Sequence, residues 1–327
     1  MDEMNHTAGF GSVTPPAKPL FGRWRLAVTL RTPYLFRLLL PRSVRNVLRH
    51  LKIWVVTRDF RKHREFEQST EDAFASACLS IIVPVHDAPA VTRRCLASLE
   101  KYAPHAEIVL VDDGSSLADT GDILRDFIDR NGWKLIRHEK PMGHSAASEA
   151  GAGLSSRAYL CLLNSDTIVT PWCWRLVRQA FENDQNIAVI GPATSSSGNL
   201  QTLPVANYLR QHWNDHQICD FAMRLNAECK EPIVEDLTWA SGFAFFIRRS
   251  VWEQLGGFDR NLPDYGNEIE LCNRVAAKGY RRVWIRNAYI HHLGGQSYGE
   301  SIQGEGIVAR TQAALIYIRQ KERSLNA

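Results

Sequence analysis

The run Leu79-Ser80-Ile81-Ile82-Val83-Pro84-Val85 decides how the rest of this chain is read. It is apolar almost throughout, β-branched at its centre and too short for an ordinary helix, so it reads as a buried strand. The period then changes. Pro89–Tyr102 sets Val91, Cys95, Leu99 and Tyr102 at helical spacing, and 107–111 returns to an apolar strand. The alternation continues with helices over 119–130, 145–154 and 171–181 and strands over 133–137, 158–163 and 187–190. Strands separated by helices of this length build βαβ units. The expected fold is α/β: a Rossmann-like, mostly parallel sheet with flanking helices. Ligands of such sheets sit beyond the carboxyl ends of the strands.

Three of those ends are polar: Pro84-Val85-His86-Asp87, Asp112-Asp113-Gly114-Ser115-Ser116 and Asn164-Ser165-Asp166. Taken singly, each is ordinary turn and cap chemistry. Taken together, they bring carboxylates to one edge, where they repel unless a cation or a donor-rich ligand lies between them. Mg2+ or Mn2+ bridging a diphosphate is a natural occupant, because hard cations take oxygen ligands. Residues 84–90 contain neither GxGxxG nor GxxxxGK[ST], which argues against a dinucleotide enzyme and a P-loop NTPase. They also lack the Gly-rich, basic loop that a nucleotidyltransferase would want.

Downstream, Trp239-Ala240-Ser241-Gly242 leads into an apolar strand at 243–247, followed by Gly256-Gly257-Phe258-Asp259 and Asp264-Tyr265-Gly266-Asn267-Glu268. Glu268 stands where a glycine-bearing loop enters a helix. It serves there either as an N-terminal acid or, facing the pocket, as a general base. His291-His292-Leu293-Gly294-Gly295 reads as following a strand at 282–285, and a His pair there is either structural or a metal ligand. Residues 195–237 show little periodicity.

With 45% hydrophobic and 23% charged residues, the 327-residue chain can build a sizeable core, which excludes disorder as the default. The net charge of +4 hides an asymmetry: residues 1–64 hold 13 Lys and Arg against 3 Asp and Glu. Residues 1–20 read as a flexible tail. In 41–57, Val44, Val47, Leu48, Leu51 and Val55 form one helical face, and Arg42, Arg45, Arg49 and Lys52 gather opposite. Such a helix either lies in a bilayer interface or packs its apolar stripe on the domain. The charge segregation favours an anionic membrane surface contacted through residues 20–64, and no recognition motif points to nucleic acid. The early apolar stretch at 26–40 is broken by Arg31, Pro33 and Arg37, so no spanning helix is expected. Seven cysteines without a CxxC pair indicate neither a disulfide framework nor a zinc site. A cytoplasmic protein, peripheral on the inner face of the cytoplasmic membrane, is expected. Its parts are a tail and basic helical arm (1–75), a catalytic domain (76–300) and a C-terminal helix (301–327).

The ordered set Ser80–Pro84, Val111-Asp112-Asp113-Gly114-Ser115, Leu163-Asn164-Ser165-Asp166-Thr167, Gly257-Phe258-Asp259, Tyr265–Cys272 and His292–Gly299 resembles the bacterial family 2 glycosyltransferases over about residues 78–300. It looks most like rhamnosyltransferase-like enzymes of surface polysaccharide synthesis. The resemblance implies a GT-A fold and inverting transfer from a nucleoside-diphosphate sugar to a hydroxyl of a glycan or lipid-linked acceptor. It places Asp112, Asp113 and Gly114 at the nucleoside and Pro84 and His86 at its base and ribose. Ser165 belongs with the donor, Asp166 and His292 with the metal, Glu268 is the base, and Trp239, Gly242 and Asn267 lie on the acceptor and sugar side. Acceptor specificity is then expected in residues 195–237, whose Trp213 and Tyr208 either stack on a sugar or fill a small subdomain. The chain departs from the pattern at three points. Asn164 replaces the first acid of the metal motif, Asn267-Glu268 replaces an acidic pair and lengthens the base by a methylene, and Met142 stands where relatives often carry Asn. These departures leave one alternative, a catalytically degenerate GT-A domain acting as a membrane-associated assembly module.

Overall fold

A computed structural model of the protein describes residues 74–209, 213–227, 229–295 and 304–325, all within one unit, Thr57–Ala327. The basic arm expected at 20–64, the Tyr208 side chain and residues 296–299 of the last motif lie outside the described residues.

In chain order the elements are β1 (Leu79–Val85), α1 (Pro89–Tyr102), β2 (Glu107–Asp112), α2 (Ala118–Asn131), β3 (Lys134–Arg137), α3 (His144–Leu154), β4 (Tyr159–Leu163) and β5 (Thr167–Val169). There follow α4 (Cys173–Asn183), β6 (Ile187–Ala193), α5 (Pro204–Leu209), α6 (Asp215–Ala227), β7 (Val234–Asp236), β8 (Ala244–Arg248), α7 (Arg249–Leu255), α8 (Asn267–Ala277), β9 (Arg281–His292) and α9 (Gly304–Leu325). The sheet has nine strands in the order β3-β2-β1-β4-β8-β6-β9-β5, with β7 also against β9.

Its first half, β3-β2-β1-β4, is parallel throughout, as helical crossovers require. β8 then runs antiparallel to both β4 and β6, and β6 pairs parallel with β9. Pro84 is tolerated in a central strand because the β1–β4 ladder ends at Ile82 and Leu162, so its missing N–H forfeits no bond to β4. α1, α2 and α4 cover the sheet with Cys95, Leu96, Leu99, Ile123, Phe127, Trp174 and Phe181, all buried. The Trp174 indole N–H donates to the Tyr102 carbonyl at 2.6 Å, which closes the polar account of the largest buried ring.

Two expectations need correcting. The strand read at 282–285 continues to His292, so the His pair lies in β9 rather than after it. Asn287, which breaks the apolar run, is absorbed: its amide donates to the Cys229 and Glu231 carbonyls and accepts from Ile233 N–H, beside a register shift against β6. The segment 195–237 holds α5, α6 and β7. α6 buries Ile218, Cys219, Phe221 and Ala222 against β9, but Asp220 and Asn226 among them are buried too, which blurs the period. Among the described residues no helix is long and apolar enough to cross a membrane.

Candidate functional site

The carboxyl ends of β1 and β2 are tied by acids. Asp87, with φ of 53°, accepts from Ser116 N–H (2.8 Å), Leu117 N–H (2.8 Å) and the Ser116 hydroxyl (3.0 Å). Burial acts upward on this carboxyl, but the bonds outweigh it and hold the acid below its usual range. Asp112, nearly fully buried, accepts from Ser115 N–H at 2.9 Å and pairs with Arg137 at 3.2 Å. Asp113 accepts from Met142 N–H and Gly143 N–H, both at 2.8 Å, and from His138 Nδ1 at 2.6 Å. Gly114 carries the turn beneath the Lys140–Pro141 backbone. The two carboxylates therefore build the wall of this edge. Pro84 is only partly buried, and the half-exposed ring of His86 donates from Nδ1 to the Asp113 carbonyl at 2.9 Å.

The second part lies at the β4–β8 seam. Asn164 N–H donates to the Phe243 carbonyl at 2.9 Å, just beyond the last strand pair, Leu163 and Ala244. Ser165 and Asp166 follow, both buried. Thr167 pairs with His292 in the β5–β9 ladder, and this brings His292 Nε2 to 3.2 Å from Asp166 Oδ1. The His292 ring stacks on Phe243, with centroids 5.3 Å apart, and its Nδ1 lies 2.6 Å from the Ser196 carbonyl. A carbonyl only accepts, so Nδ1 carries a hydrogen, and Nε2 is the nitrogen turned towards the carboxylate. An imidazole nitrogen and a carboxylate oxygen facing each other fit a divalent cation. No cluster of three or more His, Cys, Asp or Glu side chains suited to a metal occurs among the described residues, so further ligands would come from substrate and water. His291 points to the other face of β9, where it is buried and bonds the Tyr289 hydroxyl at 2.8 Å. Trp213 packs there against Phe221 and His291, so it fills the subdomain.

The third part is the entry to α8. Asn267 is buried: its amide N–H donates to Ser145 Oγ at 2.8 Å and its oxygen accepts Glu268 N–H at 3.0 Å. Ser145 Oγ in turn donates to the Leu262 carbonyl at 2.5 Å, which knits the loop to α3. The Glu268 carboxylate occupies the place a Cβ would take on Gly242, so any side chain at 242 would collide with it. Burial in that notch pushes the Glu268 carboxyl up to about 7, against the opposing pull of a backbone N–H. Gly242, which admits Glu268, and Phe243, which stacks on His292, are neighbours in the chain entering β8. Trp239 joins this region through its carbonyl, which accepts from Asn199 at 3.1 Å.

Two residues of this edge were not singled out from the sequence. Asp87 was visible only as a turn former, and nothing local announces its bonds across to β2. His144 opens α3, with its ring 3.5 Å from the Asn267 amide nitrogen; burial pushes this imidazole down, against Asp264, Asn164 and Asp113, which raise it. A His straight after Gly143, at the head of a helix that follows a strand, was the available signal. A cavity of about 210 Å3, lined by Asp184, Ile187, Pro232, Val234 and Arg281 among others, opens at the amino ends of β6 and β9, the edge opposite to this chemistry.

The family described as Glycosyl transferase family 2 matches residues 80–256, more than half of the chain. The O-antigen biosynthesis protein RfbC of Myxococcus xanthus is 27% identical over 65% of this chain and 17% of its own length. The first three curated relatives are matched over 17%, 25% and 38% of their lengths, so the chain spans well under half of each. Among solved structures, the mannosyltransferase PcManGT from Pyrobaculum calidifontis, in complex with GDP-Man and Mn2+, is similar with a TM-score of 0.54 at 13% identity, covering 84% of this chain and 72% of that one. GalNAc-T7 with UDP, GalNAc and Mn2+ is similar with a TM-score of 0.51 at 22% identity, covering 65% and 42%. Both share the GT-A fold with this chain.

The Glu268 notch carries a stability signature. A carboxyl whose folded value is about 7, above its ordinary range, costs stability progressively as pH rises from about 4.5 towards 7, and the full cost stands above that. Gln cannot ionise. Glu268→Gln is therefore expected to gain on the wild type between pH 5 and pH 8, by about 1–3 kcal/mol or a few degrees in Tm. Melting curves across that range check this, and a difference independent of pH would count against an ionising Glu268.

Proposed function

Because the chain belongs to glycosyl transferase family 2, we propose that it moves a sugar from a nucleoside-diphosphate donor to a hydroxyl of a glycan or lipid-linked acceptor, with inversion, in the building of a surface polysaccharide. The observation that carries this reading is the Glu268 carboxyl, held near neutrality in the Gly242 notch beside the Asp166–His292 pair. An acid at about 7 is suited to taking a proton at physiological pH.

On this reading Glu268 accepts the proton of the acceptor hydroxyl as its oxygen attacks the anomeric carbon. The bond from that carbon to the diphosphate breaks on the opposite face, and the electron pair leaves with the diphosphate. Asp166 and His292 would hold Mg2+ or Mn2+, which when bound offsets the charge gathering on the leaving group. His86 and the wall built by Asp112, Asp113 and Gly114 would take the nucleoside, with Pro84 beneath it and Ser165 beside the diphosphate. Trp239, Gly242 and Asn267 belong to the sugar and acceptor side, where Asn267 acts by orienting Glu268. The nucleotides and Mn2+ in the similar structures support a nucleotide-bound donor with a divalent ion. A module without catalysis has no physical reason to keep an acid where ionising it costs stability, so the degenerate alternative is not favoured.

The basic arm at 20–64 suits an anionic membrane surface, which would hold the enzyme beside a lipid-linked acceptor on the inner face of the cytoplasmic membrane.

Two experiments test this reading. UDP, GDP or dTDP at a hundred times its dissociation constant, with Mn2+, should add about 2.7 kcal/mol of stability. Asp166→Asn should lose the metal-dependent part of that shift, and Glu268→Gln should keep it while losing sugar transfer. No shift with any of the nucleotides would remove the donor site. Separately, deleting residues 1–64 should release the protein from phosphatidylserine-containing vesicles, whereas undiminished binding by the shortened chain would rule out the arm.

A further inference from the structure

The α9 side chains Arg310, Ala314, Tyr317, Ile318 and Lys321 reach the stretch 257–273 that carries Glu268. Lys321 reaches Asp259 Oδ2 and Glu270 Oε1, both at 2.6 Å. The Tyr317 hydroxyl donates to Asp259 at 2.9 Å and accepts from the Asn261 amide at 3.0 Å. Asn273 donates to Glu322 at 2.6 Å, and Arg310 lies 3.3 Å from Asp264. Ala314 and Ile318 form a small buried cluster with Leu262, separate from the main core and flanked by Tyr265 and Ile269. A Cβ on Gly266, the positive-φ residue that starts α8, would come within 3.0 Å of Ala314 Cβ and 3.1 Å of Ile318 Cδ1. The helix thus lies directly on the turn from which Glu268 departs.

That placement has a mechanical meaning. Ionised Glu268 gains hydration by leaving the Gly242 notch, and the segment 257–266 before it has no regular structure to oppose the movement. Opposition comes from outside the segment. Arg274 anchors one side, on Glu270 and the Leu255 and Gly257 carbonyls. Lys321 anchors the other, joining Asp259 in the loop to Glu270 on α8.

We propose that α9 is the positioning element of the transfer site, with Lys321 and the Ala314–Ile318 contact on Gly266 holding the first turn of α8 so that Glu268 stays in its notch. This rests on the reading of Glu268 as the base, and Lys321 acts through that residue without touching substrate.

The test uses the full chain, 13C-labelled at its Glu carboxyls, with the Glu268 resonance assigned by its loss in Glu268→Gln. In the wild type the Glu268 midpoint is expected at about 7. Lys321→Met is expected to lower that midpoint by about one pH unit or more, as the carboxyl escapes to water. Lys321→Arg restores it, and the melting shift given by UDP or GDP with Mn2+ persists in both variants. An unchanged midpoint in Lys321→Met overturns the proposal. Should that variant not fold, Tyr317→Phe removes only the hydroxyl with its two bonds, to Asp259 and from Asn261, and should shift the midpoint in the same direction, an unmoved value again overturning it. Where turnover of a UDP- or GDP-sugar is detected, Lys321→Met should lose about ten-fold in kcat with the donor KM within about two-fold. A wild type that titrates as described but transfers nothing would count against the glycosyltransferase reading and leave standing only that α9 keeps Glu268 in its notch.

Discussion

The antiparallel pairing of β4 with β8 is the joint on which the rest of the site depends. β1, β2 and β4 are parallel and deliver polar ends to one edge, as helical crossovers dictate. β8 runs the other way, so the residues preceding it arrive at that edge from outside the sheet. The single bond from Asn164 N–H to the Phe243 carbonyl closes the joint. One side of Phe243 then supports His292 by stacking, and its neighbour Gly242 admits Glu268. A slip of one residue in the β4–β8 register would turn every side chain of β8 to the other face and separate these groups.

Much of the parallel half was legible in the sequence, because there local and global signals agree. β1, β2 and β4 are continuous apolar runs and the helices between them carry one apolar face, so length and period decide each element without tertiary help. The mixed half was harder to read. β5 has three residues, β7 has three, and β9 carries Asn287 within it. Each depends on bonds to distant chain: Asn287 satisfies backbone groups of 229–233, and α6 holds two buried polar residues among its apolar ones. Periodicity cannot register a polar group whose partner lies some sixty residues away.

The candidate site was legible as a set of residues and less so as an arrangement. Asp166 and His292 are more than a hundred positions apart in the chain, and the ladder between β5 and β9 that joins them is too short to read from sequence. The acids of 112–113 could be named but their work could not, since Asp113 binds the backbone of Met142 and Gly143. Backbone N–H groups leave no trace in the residue alphabet. The notch at Gly242 was likewise invisible, because a glycine in a sequence does not say whose side chain fills the room it leaves.

Positions 242 and 268 share one volume, so neither can drift alone: an Ala or Ser at 242 can be accepted only if the acid at 268 shortens or turns away. Across a set of descendants of this chain, the two positions should therefore behave as a single two-letter character. The full length of the Glu268 side chain fits because position 242 carries only a hydrogen.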